Sequence, residues 1–154
     1  CDIRWWYEYY ELTQTHSPES KLYTIAGIGS HFYKKQQQGK EIIELPYTSG
    51  VGLGKDQLIH GGNSGYMAVN LAYLLGAKKI ILVGYDHQHT NRKRHWHSDY
   101  DKKKFPFNAD NIDRMKDNFE VLAQDLINEG IDIVNCSIET ALTIPRRSEL
   151  EKEI

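Results

Sequence analysis

Hydrophobic and polar positions alternate along this chain in blocks that predict strands and helices in turn. Lys21 to Ile25 and Glu41 to Leu45 read as short strands, the second stopped by Pro46. Met67, Leu71, Leu74 and Leu75 recur at helical spacing, with Ala68 and Ala72 beside them, and Gly76 falls where a helix commonly ends in a left-handed residue. Ile80, Ile81, Leu82 and Val83 form a continuous aliphatic run, as in a parallel strand covered on both faces. A second helix is expected from Asn108 or Asp110, with Ile112, Met115, Phe119, Leu122 and Leu126 on one face and Gly130 at its end. Ile131 to Val134 is a further strand, followed by a turn at Ser137 to Leu142 that could start a short helix. Residues 146–154 read as a peripheral tail or short helix.

This order predicts an α/β fold, a three-layer α/β/α sandwich with a Rossmann-like, mostly parallel sheet, in a single domain spanning 1–154. Between the recognisable elements lie loops. Tyr47 to His60 carries Gly50, Gly52 and Gly54 and is expected to be flexible; Lys55 within it is a solvated lysine or a phosphate contact. The opening CDIRWWYEYY is rich in aromatic rings, which favours packing, with Asp2 and Arg4 as candidates for a cleft rim.

Candidate chemistry concentrates at two places. Gly61, Gly62, Asn63, Ser64 and Gly65 lead into the first helix; Asn63 or Ser64 can cap it. Glycines let backbone amides approach an anion, and the helix dipole favours negative charge there. The lead-in is neither a Walker A loop, lacking the lysine, nor a dinucleotide fingerprint, whose spacing differs. The second place is DHQHTNRKRHWHSDYDKKK, Asp86 to Lys104, expected at the carboxyl end of a buried strand, where ligands bind in open α/β sheets. There His95 or His97 could act as a general base. Arg92 and Arg94 could clamp phosphate, and His with Asp could bind a divalent metal, although no recognised metal spacing is present. Asn135, Cys136 and Ser137 are expected at the same sheet edge, with Ser137 a phosphate or sugar contact or a cap.

Composition narrows this picture. The 154 residues carry a net charge of −2, which argues against nucleic acid as a partner. No apolar run is long enough to span a bilayer, so no membrane partner is expected. Cys1 and Cys136 lack metal-ligand spacing and read as reduced thiols, which points to the cytoplasm. The missing initiator Met suggests a fragment or a processed chain.

Ser64-Gly65, Ala68 or Ala72, Leu75-Gly76 and an aliphatic strand ending Gly84-Tyr85-Asp86 resemble the archaeal 6-hydroxymethyl-dihydropterin diphosphokinase family and the Rossmann-like bacterial sialyltransferases that use CMP-sialic acid. The start, Cys1 to Trp6, and the VNCSIETAL phrase, Val134 to Leu142, are similar to phage-encoded relatives of these proteins, in which case the compartment would be the host cytoplasm. The resemblance implies a nucleotide or nucleotide-sugar donor contacted by Ser64 and Gly65, and a base at His95 or His97. From the diphosphokinases it implies Mg²⁺ beside Asp86. Those families open with a strand and a Gly-x-Gly-Pro-Ser turn, and this sequence starts after that point, so the sheet is expected to lack the first βα unit. The expected function is transfer of a glycosyl, phosphoryl or diphosphoryl group from a nucleotide donor to a hydroxyl acceptor. The alternatives are a non-catalytic phage-encoded module that binds a nucleotide or a protein, and a metal-dependent hydrolase using the His-rich loop. An uncovered edge strand would favour a homodimer.

Overall fold

The computed structural model describes residues 19, 21–25, 42–89 and 111–154, and they fall into two compact units. The first comprises Cys1–Thr48 with Asp56–Leu58, the second Ser49–Lys55 with Ile59–Ile154. Helices and parallel strands occur together, so the class is α/β.

In the first unit β1 (Leu22–Ile25) runs parallel to β2 (Ile42–Leu45), with Leu22 opposite Ile42 and Ile25 opposite Leu45. Pro46, lacking an amide hydrogen, interrupts the second strand. The chain then re-enters extended structure as β3 (Tyr47–Thr48) and, further on, as β4 (Leu58–Ile59). The Leu58 amide donates to the Pro46 carbonyl at 3.1 Å. These two-residue strands are too short for periodicity to announce them.

The second unit contains α1 (Ser64–Leu74), β5 (Lys79–Leu82), α2 (Ile112–Asn128), β6 (Asp132–Asn135), β7 (Arg146–Arg147) and a 3-10 turn at Leu150–Lys152. Strands β5, β6 and β7 form one parallel sheet in that order. Asn63 is the cap of α1: its side chain accepts from the Tyr66 amide at 2.9 Å. Gly76 at φ +90° and Gly130 at φ +76° follow the helix ends, where a side chain would be strained.

The buried face of α1 differs from the expected stripe. Tyr66, Met67, Val69 and Asn70 are buried, whereas Leu71 and Leu74 are half-buried and Leu75 is exposed. The helix is apolar nearly all round, so spacing alone cannot choose a face. The choice follows from hydrogen bonding. Asn70 Oδ1 accepts from the amides of Gly54 and Ile59, and Nδ2 donates to the Gly54 carbonyl at 2.8 Å. The Tyr66 hydroxyl donates to the Gly52 carbonyl and accepts from the Gly52 amide, while Asp125 accepts from the Leu53 amide. The expected flexible glycine loop is therefore clasped along 52–54 by side chains of both helices.

Strand β5 ends one residue earlier than expected. Ile80 and Leu82 are buried, Ile81 is half-buried, and Val83 is 59% exposed, so the run is not covered throughout. Ile80 and Leu82 pack with Tyr66, Val69, Phe119, Leu122, Leu126 and Ile133 in one core. Burying each large apolar side chain contributes roughly 1.5–3 kcal/mol. On α2 the expected face holds for Phe119, Leu122 and Leu126, joined by Ala123. Ile131, expected to start the next strand, is buried just before it, and β6 runs one residue past Val134.

Past the 137–142 turn no short helix forms. Residues 146–154, expected to be a peripheral tail or a short helix, carry the two-residue strand β7 at the sheet edge and the 3-10 turn at Leu150–Lys152. Arg146 pairs with Asp132 and with Glu153, and Lys79 pairs with Glu153 at 2.7 Å. The hydrogen bonds from Arg146, Lys79 and Ser148 hold the Glu153 carboxyl far below the usual carboxylate range. Among the described residues no helix is long and apolar enough to cross a membrane.

Candidate functional site

A cleft of about 320 Å³ opens in the second unit where the start of α1 meets the end of β5. Asn63 and Gly65 line it from the helix start, and Gly84, Tyr85, Asp86 and His87 from the strand end. Ile112 and Met115 line it from the first turn of α2. The helix entrance and the first residues of the His-bearing stretch thus share one cavity, and its volume lies at the small end of ligand pockets.

The strand tip is fixed by the chain that follows β6. The Tyr85 amide donates to Ser137 Oγ at 2.8 Å, and the Tyr85 carbonyl accepts from Thr140 Oγ1 at 2.7 Å and from Asn135 Nδ2 at 3.3 Å. Asn135 is itself set by donating to Thr140 and accepting from the Ser137 amide. The Asp86 carbonyl accepts from the Ala141 amide at 2.8 Å. Residues 135–141 are thus a bracket that sets where Tyr85 and Asp86 lie. Ser137 is 3% exposed, with its hydroxyl held by the Tyr85 amide and its carbonyl by Arg147. That places it beneath the cleft wall, neither at a helix start nor among the residues lining the cleft.

At the helix entrance the five candidates divide. The Gly61 amide donates to the Gly50 carbonyl, its carbonyl accepts from Asn118, and a Cβ there would lie 2.1 Å from the Tyr66 ring. The Gly62 amide donates to His60 Nδ1 at 3.2 Å. Both amides are spent inside the chain. Asn63 uses its side-chain oxygen as the cap and its carbonyl for the Met67 amide. The Ser64 and Gly65 amides sit in the first turn, where no intrahelical acceptor exists. Ser64 is exposed, and Gly65 lies in the cleft with its carbonyl accepting from the Tyr85 hydroxyl at 3.1 Å. Of the five candidates, the Ser64 and Gly65 amides are thus the ones not held by a partner at the helix entrance by cap or loop, and of these two residues Gly65 lines the cleft. Lys55, the other phosphate candidate, pairs with Glu129.

Asp86 lies in the cleft beside His87. Sequence reasoning counted His87 within the polar stretch but not in the site. Its ring centroid is 5.0 Å from that of Phe119 and 6.2 Å from that of Tyr85, and its backbone is left-handed at φ +48°. Burial pushes its pKa below the ordinary 6.5, against the opposing pull of Glu120 and Asp86, so the imidazole is neutral at neutral pH. Burial also pushes the Tyr85 phenol up. The sequence signal for His87 was its position directly after the strand-end carboxylate. Ile112 and Met115 were read as core face, and the stripe does run into the cleft.

His95, His97, Arg92 and Arg94 lie outside the described residues, as do Asp2 and Arg4 and most of the His-rich loop. Among the described residues no group of three His, Cys, Asp or Glu side chains could hold a metal ion. Among the described residues that line the cleft, Asp86 is the one carboxylate.

Compared with known proteins, the chain matches no protein family, no curated protein and no solved structure.

Proposed function

We propose that the chain is a nucleotide-dependent transferase, moving a glycosyl, phosphoryl or diphosphoryl group from a nucleotide donor to a hydroxyl acceptor. The observation that carries this reading is that Asn63 and Gly65 from the helix entrance and Asp86 and His87 from the strand end line the same cleft. The Ser64 and Gly65 amides face donor phosphate, aided by the helix dipole. Asp86 takes a ribose hydroxyl or Mg²⁺, which when bound would neutralise donor phosphate charge. His95 or His97 deprotonates the acceptor, and Arg92 and Arg94 neutralise the leaving group. In this reading the α/β class extends to a Rossmann-like three-layer sandwich, the resemblance to the diphosphokinases and sialyltransferases reflects shared ancestry, and the chain works in the cytoplasm, as a homodimer.

A thermal-shift panel of nucleotides and nucleotide sugars, with and without Mg²⁺, tests it. A ligand at a hundred times its dissociation constant should stabilise the fold by about 2.7 kcal/mol. No shift from any member would remove the proposal.

A second reading, a non-catalytic phage-encoded binding module, is favoured by the internal use of the Gly61 and Gly62 amides, which leaves a narrow anion surface. His95→Ala and His97→Ala separate the two. A transferase loses turnover in at least one variant with donor affinity kept, whereas a module binds donor and never turns it over.

A further inference from the structure

The cleft wall opposite the helix entrance is built from rings. Tyr85 and His87 both line the cavity, 6.2 Å apart between centroids and tilted by only 31°. Together the two rings give the cleft one aromatic patch, the Tyr85–His87 slab. Phe119 backs both, at 5.4 Å from Tyr85 and 5.0 Å from His87. Ile112 and Met115 add aliphatic and thioether surface from α2. Polar side chains other than the rings are few: Asn63, whose side-chain oxygen is already used by the Tyr66 amide, and Asp86. An apolar pocket with a few fixed polar groups suits a flat organic group better than a phosphate. His87 holds a left-handed backbone, a conformation uncommon for a residue with a side chain, and that conformation is part of how its ring comes to line the cleft.

We propose that this cleft binds the planar heteroaromatic ring of a nucleoside, lodged against the Tyr85–His87 slab and beneath Ile112 and Met115. The inference rests on the nucleotide reading above for its ligand class and assigns the ring end of the donor, leaving its phosphates to the Ser64 and Gly65 amides at the rim. Stacking tolerates any base because every base has a π-face, and Asp86 in the lining favours rings or riboses that present donors.

The test titrates the full chain with adenosine, guanosine, cytidine and uridine, and in parallel with ribose 5-phosphate and inorganic pyrophosphate, following ligand ring protons and protein stability. Two variants accompany it. His87→Asn removes the ring while keeping a residue that tolerates left-handed backbone. Ile112→Trp fills the cleft from α2. The expected result is saturable binding of at least one nucleoside, with upfield-shifted ring protons, weakened roughly tenfold to hundredfold by each variant. Should His87→Asn fail to fold, Ile112→Trp carries the comparison. No nucleoside binding, or binding that neither variant weakens, overturns the proposal. If ribose 5-phosphate or pyrophosphate binds while nucleosides do not, the ring site fails and the transferase reading stands. If nucleosides bind as expected and no donor is ever turned over, the ring site stands and the transferase reading fails.

Discussion

Ser137→Ala separates a ligand contact from a structural bracket. Ser137 is 3% exposed, and its hydroxyl oxygen accepts the Tyr85 amide at 2.8 Å. The substitution removes one oxygen and little volume, so the loss is almost entirely electrostatic. A net hydrogen bond contributes about 1 kcal/mol, and leaving its buried partner without an acceptor raises the cost to about 2 kcal/mol. For a chain of 154 residues, an unfolding entropy near 2.1 cal/mol/K per residue gives about 0.3 kcal/mol per degree. The midpoint should therefore fall by about 6 °C. Calorimetry and urea titration measure it directly, and the Tyr85 and Asp86 amides should exchange faster with solvent. Affinity for any cleft ligand should also drop, because the strand tip that carries Tyr85 and Asp86 loses one of its ties. The reasoning is refuted if the midpoint stays within 1 °C, roughly 0.3 kcal/mol, while ligand affinity falls. That result would make Ser137 a direct contact and the bracket unimportant.

Three further outcomes follow from the same geometry. Asn70→Leu deletes three hydrogen bonds to Gly54 and Ile59 and should cost about 3 kcal/mol in urea unfolding; a loss under about 0.5 kcal/mol would mean the glycine loop is not held by this side chain. Gly61→Ala sets a methyl 2.1 Å from the Tyr66 ring at φ +60° and should destabilise by about 2–4 kcal/mol, whereas Gly76→Ala, with open space but φ +90°, should cost only about 1 kcal/mol. His87 has a pKa in the folded chain below its ordinary 6.5, so unfolding takes up a proton between those two values. Its contribution is intact above pH 6.5 and declines as pH falls toward the lower folded value, and His87→Asn should flatten that part of the stability–pH curve measured by urea titration at each pH.

The local signals in the sequence were sufficient for the principal elements of the second unit. Gly76 and Gly130 stop the helices because only a residue without a side chain takes a left-handed backbone freely. The stripe through Phe119, Leu122 and Leu126 and the aliphatic run at 80–82 located α2 and β5, β5 to within a residue at each end, whereas α2 begins at Ile112 rather than at Asn108 or Asp110. Asn63 was one of two candidate caps, and the geometry selects it. The glycine-rich entrance and the strand-end carboxylate were both recognisable, and Asn63, Gly65 and Asp86 do meet in one cleft. The imidazole beside them is His87, whereas the candidate bases were sought further along the loop.

What periodicity and composition determine here is what neighbours within a helical turn or a strand pleat decide: which segments coil, which extend, and where each ends. The assignment of polar side chains needed the folded chain. Asn70 joins residues 11 and 16 positions away, Ser137 meets Tyr85 across 52 and Asp125 meets Leu53 across 72. A hydrogen bond stabilises a buried group only when its partner arrives at bonding distance, and that arrival is set by packing of elements distant in sequence. The same holds for the ring wall, in which Phe119 on α2 meets Tyr85 and His87 at the strand end, 34 and 32 residues earlier in the chain.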